Sequence, residues 1–460
     1  MSRVVYWNVW TMVFSMCCST VVATNGFGPG KQIWGYSEVR PRAFIFWWLY
    51  RTDAHPDAPE HNTQKPLIIW LQGGPGASSS GFGNFEEIGP LDRMLKPREN
   101  SWVNDYNVLF VDSPVGSGFS YTEDHSLLAR NSSMVVSDLL VFLKHFYHTI
   151  SATTTIDWES NVPLYIASES YGGRIAVEFA YALAKEIQVG VMHCKLVGLL
   201  LASAWLSPLD SIAAWPNYLS GLGYLDEAGR KRIARRVAAV SEKIEQQRPG
   251  MALDGWHGLQ QAIIQETGGI NCYNVLKPTA KELPEAESDE VLEYGETLWW
   301  YGGTGPPQVV ELHSSLERLM RGPVSHMLGI ANKPPWGSQR TAVFEALSDD
   351  FLQSSIRTVE SLLNETTIEL VLFSGQLDLI TCLPGTLAWM NRLFQKRIDH
   401  THLPRQEAFT VVAINGIIDG YRTAYTERFT HYTVLRAGHM VPADNPSAMV
   451  HILRAHIGRF

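Results

Sequence analysis

Six short apolar runs limit what this chain can fold into: "LIIWL" from 67, "VLFVD" from 108, "LYIA" from 164, "LVGLLLA" from 196, "IELVLFS" at 368–374 and "FTHYTVL" at 429–435. Gly, Pro and Asp bound them, and helical patterns alternate with the first four. Strands that are apolar throughout and separated by helices belong in a mostly parallel sheet covered on both faces, so an α/β architecture is expected. Ahead of them, "QIWGYSEV" and "RAFIFWWLY" read as an antiparallel hairpin added at the sheet edge. Between about 208 and 338 the strand pattern stops, and helical segments, Trp-rich pieces and the acidic stretch "KELPEAESDEVLEYGE" replace it. That interval is expected to be a largely helical insertion.

With 45% hydrophobic and 11% aromatic residues, the 460-residue chain has enough apolar surface for a large core. A formal charge of −9 argues against a nucleic-acid surface, which needs a clustered basic face. The one basic run, "RKRIARR" at 230–236, is accompanied by Ile233, Val237, Val240 and Ile244 at helical spacing, so its charges read as the solvated side of an amphipathic helix. Residues 1–23 combine an early Arg3, an apolar stretch and small residues near Ala23, the pattern of a cleaved secretory signal rather than a stable membrane anchor. Sequons at Asn131 and Asn364 fit that route as glycosylation sites. Beyond the leader, Cys194, Cys272 and Cys382 allow at most one disulfide. Neither CxxC nor HExxH occurs, and "HFYH" and "HTH" lack partners at ligand spacing, so no metal and no cofactor is expected.

The stretch "ASESYGG" at 167–173 places Ser170 where an apolar strand meets an amphipathic helix whose buried stripe is Ile175, Phe179, Leu183 and Ile187. Small residues two before and two after it, Ser168 and Gly172, allow the tight turn of a nucleophile elbow. A serine hydroxyl needs a base, and the base an orienting carboxylate. Asp378 lies four residues past Ser374, and His439 four past Leu435, each just beyond a late strand and in the order Ser, Asp, His that α/β-hydrolases use. The loop "WLQGGPGASSSGFGNFEEIGP" at 70–90 lacks a phosphate-binding register and suits an oxyanion loop, with Gly73 and Gly74 letting an amide approach beside that of Tyr171.

Together with "DSPVGSGFSY" at 112–121, these pieces resemble the serine carboxypeptidase family (peptidase family S10) over nearly the whole mature chain. "FWWLY", "WLQGGPG", "GFGNFEEIGPLD", "SESYGG", "GQLDLI" and "AGHMVP" look most like its retinoid-inducible branch. The resemblance implies an α/β-hydrolase catalytic domain over 24–207 and 339–460 with a cap insertion over 208–338. It implies Ser170 as nucleophile, His439 as base and acid, Asp378 as its carboxylate, and Gly74 and Tyr171 as oxyanion donors. By the same likeness Gln72, Glu87 and Glu169 bind a substrate's terminal carboxylate, with the E-x-G-P spacing selecting Glu87 over Glu86. The sequence departs from the family's usual pattern at Gln72 for Asn, at Ser168 for Gly, and in "ASAWLSP" near Ser203.

The implied activity is a serine-type carboxypeptidase that removes C-terminal residues from peptides or proteins through an acyl-enzyme. Two carboxyls in one site cannot both ionise cheaply, which predicts activity at acidic pH. An acyltransferase or esterase with the same triad, or a secreted non-catalytic binding protein, are the alternatives. A secreted or lysosomal destination fits the leader, and a homodimer is compatible with the resemblance.

Overall fold

The computed structural model describes residues 20–21, 26–52, 65–278, 315–395, 406–410 and 417–458. Most of the expected leader, all of the acidic stretch and the "HTH" at 400–402 lie outside the described residues. All six apolar runs are strands, here numbered with the edge strands in chain order: β1 (Gln32–Arg40), β2 (Ala43–Tyr50), β3 (Leu67–Leu71), β4 (Asn107–Val111), β5 (Pro163–Glu169), β6 (Lys195–Ala202), β7 (Glu369–Gly375), β8 (Gln406–Phe409), β9 (Gly420–Thr426) and β10 (Phe429–Val434). Across the sheet they run β1-β2-β4-β3-β5-β6-β7-β10-β9-β8. The block from β4 to β10 that holds the six runs is parallel throughout. β1 and β2 form the expected antiparallel hairpin, from Gln32 opposite Tyr50 to Arg40 opposite Ala43.

Period-two alternation sends neighbouring residues of one strand into different cores. On one face Ile69, Leu109 and Ile166 pack with Leu139, Phe142 and Phe146 of α1 (Ser132–Thr153) and with Phe179 and Leu183 of α2 (Tyr171–Gln188). On the other, Ile68, Trp70, Phe110 and Ala167 pack with Phe82, Phe85, Met449 and Ile452. Both faces are covered, which is why these strands read as unbroken apolar runs.

The chain lays β4 on one side of β3 and then crosses to build β5 on the other. At such a reversal the loops beyond the carboxyl ends of adjacent strands diverge and leave a crevice. Glu169 ends a parallel strand, and Gln72, Ser170, Asp378 and His439 follow the carboxyl ends of parallel strands, all on that rim of the sheet.

Two features differ from expectation. β8 and β9 form an antiparallel edge beside β10, and their mixture of exposed and charged residues hides them from a hydrophobic pattern. Between β6 and β7, after α3 (Pro208–Gly221), α4 (Glu227–Glu245) and α5 (Pro249–Thr267), comes a short ribbon of Ile270–Asn271 against Asn274–Pro278. Its strands are too short to show a period. The basic helix α4 buries Ile233, Val237 and Val240 as expected, while Arg232 pairs with Glu266 at 2.6 Å on its outer side. No helix among the described residues is long and apolar enough to cross a membrane.

Candidate active site

β5 stops at Glu169, and Ser170 takes φ 57° and ψ −127°, a region that a residue with a Cβ occupies only when its surroundings hold it there. The Ser170 N–H donates to Ala202 O (3.1 Å), and Ser170 O accepts from Trp205 N (2.8 Å) and Gly173 N (2.9 Å). Close packing explains the glycines. A Cβ on Gly172 would lie 2.4 Å from Leu71 O, and one on Gly173 2.4 Å from Ala204 Cβ. A Cβ on Gly73 would lie 2.6 Å from Ser170 Cβ and 2.9 Å from Glu169 O, so the 72–76 loop lies directly against the serine. Gly73→Ala is therefore expected to lower kcat by about a hundredfold, because displacing a reacting group by an ångström has that effect; steady-state kinetics on folded variant checks it.

Tyr171 is the first residue of α2, and the first amides of a helix have no intrahelical acceptor, so its N–H is available to a developing oxyanion. Its side chain is fixed from behind. Tyr171 OH donates to Asp350 Oδ2 at 2.8 Å, and the same oxygen pairs with Arg174 Nε at 2.9 Å. Asp350, which also accepts from the N-terminal amide of α1 at Ser132 (3.2 Å), has no sequence signal that singles it out. Gly74 has φ 105°, open to glycine but not to other residues.

Asp378 and His439 are buried together, with Nδ1 of the imidazole 2.8 Å from Asp378 Oδ2. Thr381 completes the carboxylate's shell, its amide donating to Oδ1 at 3.2 Å and its hydroxyl to Oδ2. The Tyr273 and His439 rings meet edge to face, their centroids 4.9 Å apart and their planes at 85°, and Tyr273 O accepts the His439 amide at 2.7 Å. His439 Nε2 is buried with no hydrogen-bond partner among the described residues, so the Ser170 hydroxyl is not bonded to it in this state. Such bonds are commonly long without substrate.

Gln72 joins the two glutamates. Its Nε2 donates to Glu87 Oε1 and to Glu169 Oε1, both at 3.0 Å, while Trp70 Nε1 donates to its Oε1 at 2.6 Å. The indole thereby fixes which end of the amide faces the carboxyls, and the extra methylene relative to Asn leaves both contacts intact. Trp70 was legible in principle, since the strand period puts residues 70 and 72 on one face. Glu86 pairs instead with Arg93, 3.5 Å away. The buried Asp112 anchors the start of the helical segment Ser79–Ile88 that carries Glu87, accepting from Ser80 N (2.9 Å), Ser80 Oγ (2.7 Å), Ser78 Oγ (3.0 Å) and Phe119 N (2.8 Å).

Burial pushes the Glu87 carboxyl up to about 7, even though hydrogen bonds to Glu169 and Gln72 and the nearby His439 and Arg98 pull it down. Burial, then repulsion from Glu87, holds Glu169 well above the ordinary carboxyl range. Among the described residues each keeps one buried oxygen, Oε2, without a partner.

Among the described residues no group of His, Cys, Asp and Glu could hold a metal. Cys194, Cys272 and Cys382 are buried free thiols. Asn131, which caps α1, and Asn364 are both exposed. Ser168 and Ser203 are buried with unpartnered hydroxyls, and nothing in the structure explains the departures there.

A sequence model described as serine carboxypeptidase matches residues 24–459. The chain is 35% identical over 433 residues to the retinoid-inducible serine carboxypeptidase of Homo sapiens, spanning 92% of this chain and 91% of the relative. It is 31% identical to serine carboxypeptidase-like 51 of Arabidopsis thaliana, spanning 93% and 94%. Among solved structures it superposes on the Kex1(Δ)p prohormone-processing carboxypeptidase of Saccharomyces cerevisiae with a TM-score of 0.74 at 21% identity, covering 93% and 91%. The chain belongs to the serine carboxypeptidase family, the serine-type exopeptidases built on the α/β-hydrolase fold.

Proposed function

We propose that the chain releases C-terminal residues from peptides through an acyl-enzyme, with its best turnover at acidic pH. Ser170 Oγ attacks the scissile carbonyl carbon while His439 Nε2 takes its proton, and Asp378 holds the imidazole with Nε2 free to accept. The amides of Tyr171 and Gly74 stabilise the oxyanion. His439 then passes the proton to the leaving amine, and water repeats the cycle on the ester.

One observation carries the exopeptidase assignment: two buried carboxyls bridged by Gln72 at 3.0 Å, each with an unpartnered oxygen. Protonated, they donate hydrogen bonds to a substrate's terminal carboxylate. Ionised, they repel it.

The test is hydrolysis of an N-blocked dipeptide acid beside its amide at about pH 4.5, below the value to which Glu87 is raised. Turnover of the acid far ahead of the amide is expected. KM for the acid should rise as pH passes about 7 and Glu87 loses its proton. Equal turnover of acid and amide, or a KM flat across that range, would count against the clamp and favour an esterase or acyltransferase.

The stability of the unliganded protein follows the same linkage. Both carboxyls bind protons more tightly folded than unfolded, so this contribution is complete below the unfolded carboxyl value and is lost as pH rises through the folded ones. For cellular route, the leader pattern and the exposed Asn131 and Asn364 support passage through the secretory pathway with glycosylation at both, toward a secreted or lysosomal destination.

A further inference from the structure

The ribbon at 270–278 lies far in sequence from every predicted site residue, yet it touches both loops that carry the Asp–His couple. Leu379 N donates to Cys272 O at 3.1 Å, and Val275 N donates to Leu377 O at 3.0 Å, so the ribbon brackets Asp378 from both sides in sequence. On the other loop, Tyr273 O accepts the His439 amide at 2.7 Å. A Cβ on Gly438 would lie 2.3 Å from Tyr273 O and 2.7 Å from Asn274 Cβ, so the glycine before the histidine is what admits the ribbon. Tyr224 OH, donating to Val275 O at 2.7 Å, ties the ribbon to the segment between α3 and α4.

Asp444 joins the ribbon to the histidine loop. Its Oδ2 accepts from Gly438 N at 2.7 Å and from Asn274 Nδ2 at 3.0 Å, and its Oδ1 pairs with Lys277 Nζ at 3.0 Å. One carboxylate oxygen thus holds the backbone next to His439 and a nearly buried ribbon side chain at once. The Lys277 pair is partly exposed and adds little by itself, whereas the two bonds at Oδ2 fix geometry.

We propose that Asp444 and Asn274 form a strap that positions His439, making both of them positioning residues for the hydrolytic reaction although neither touches substrate. The proposal rests on the reading of His439 as base given above. Its catalytic consequence is angular: with the strap intact the imidazole is held by its main chain, its contact with the Tyr273 ring and its Nδ1, and Nε2 has one direction in which to meet the serine. Without Asp444 the Gly438 amide loses its acceptor, and the loop that carries the base loosens while Ser170, Asp378 and the glutamate pair stay in place.

The test compares wild type with Asp444→Ala, Asn274→Asp and Asp444→Asn. In Asp444→Ala, kcat is expected to fall about thirtyfold with KM within about threefold, the split expected when a reacting group is misplaced rather than binding lost. Asn274→Asp sets two carboxylates against each other and should fall as far. In Asp444→Asn the amide oxygen keeps both bonds that Oδ2 accepts and the amide nitrogen turns to the partly exposed Lys277, so kcat should stay within about fivefold of wild type. Hydrogen exchange at the Gly438 and His439 amides should speed by at least about tenfold in Asp444→Ala and Asn274→Asp and stay near the wild-type rate in Asp444→Asn.

Wild-type kcat in Asp444→Ala, or Asp444→Asn no better than Asp444→Ala in both readouts, overturns the strap. If Asp444→Ala does not fold, Asn274→Asp and Asp444→Asn decide alone: wild-type kcat in Asn274→Asp, or a loss in Asp444→Asn as large as that in Asn274→Asp, overturns the strap. An inactive wild type would sink the carboxypeptidase reading instead, and the exchange measurements would still judge the strap.

Discussion

Replacing Ser170 by alanine should lower kcat by about a million-fold while leaving KM for a peptide acid within a fewfold. Loss of a serine nucleophile from a triad has an effect of that size, because the remaining groups cannot form the ester intermediate. Binding should survive, since the glutamates and Gln72 bridge one another rather than the serine: Gln72 Nε2 reaches Glu87 and Glu169 at 3.0 Å without Ser170. The substitution also removes only a hydroxyl from a residue whose backbone bonds to Ala202, Trp205 and Gly173 set its conformation, so the fold should persist. Reaction with a fluorophosphonate gives an independent readout: labelling at one site in wild type, none in the variant. A variant keeping more than about a thousandth of wild-type kcat would mean that another group attacks the carbonyl.

Asp378→Asn is expected to lower kcat by about ten-thousandfold, for a reason of orientation rather than charge alone. The backbone amide of Thr381 requires an acceptor at Oδ1, 3.2 Å away, so the new side chain keeps its oxygen there. Its nitrogen then takes the place of Oδ2 and faces His439 Nδ1, 2.8 Å distant. A donor in that position makes Nδ1 the acceptor and puts the imidazole proton on Nε2, so the histidine can no longer receive the proton of Ser170. The Thr381 hydroxyl, which now donates to Oδ2, has to turn away. Because the exchange is nearly isosteric, circular dichroism should be unchanged. The fluorophosphonate labelling rate should fall in parallel with kcat, and a variant within about tenfold of wild type would remove Asp378 from the mechanism.

Much of the sheet was legible because its strands are buried on both faces. Ile68 and Ile69 are both fully buried, so "LIIWL" has no polar residue to break the run. The same logic hid β8 and β9, whose edge position lets Glu407 and Arg422 lie on the surface. The serine corner was legible because strand, turn and helix follow one another within a few residues. Asp350, which holds the Tyr171 side chain, was not, since an acidic residue near the start of a short helix has many ordinary explanations.

The sequence by itself singled out the residues proposed to carry the chemistry: the turn at Ser170, the carboxylate and imidazole past two late strands, and, through the family's motifs, Gln72, Glu87 and Glu169. These signals are local, because φ and ψ preferences, strand period and turn composition act over a handful of neighbours. Only the tertiary structure decided how those groups behave. It brought Glu169 to Gln72 across 97 residues and His439 to Asp378 across 61. It set the Trp70 indole on the amide of Gln72 and drew the ribbon at Tyr273 and Asn274 onto the histidine loop. Protonation belongs to this second level as well. Two carboxyls are raised because desolvation and mutual repulsion depend on what surrounds each group in space, and periodicity along a chain carries no record of that.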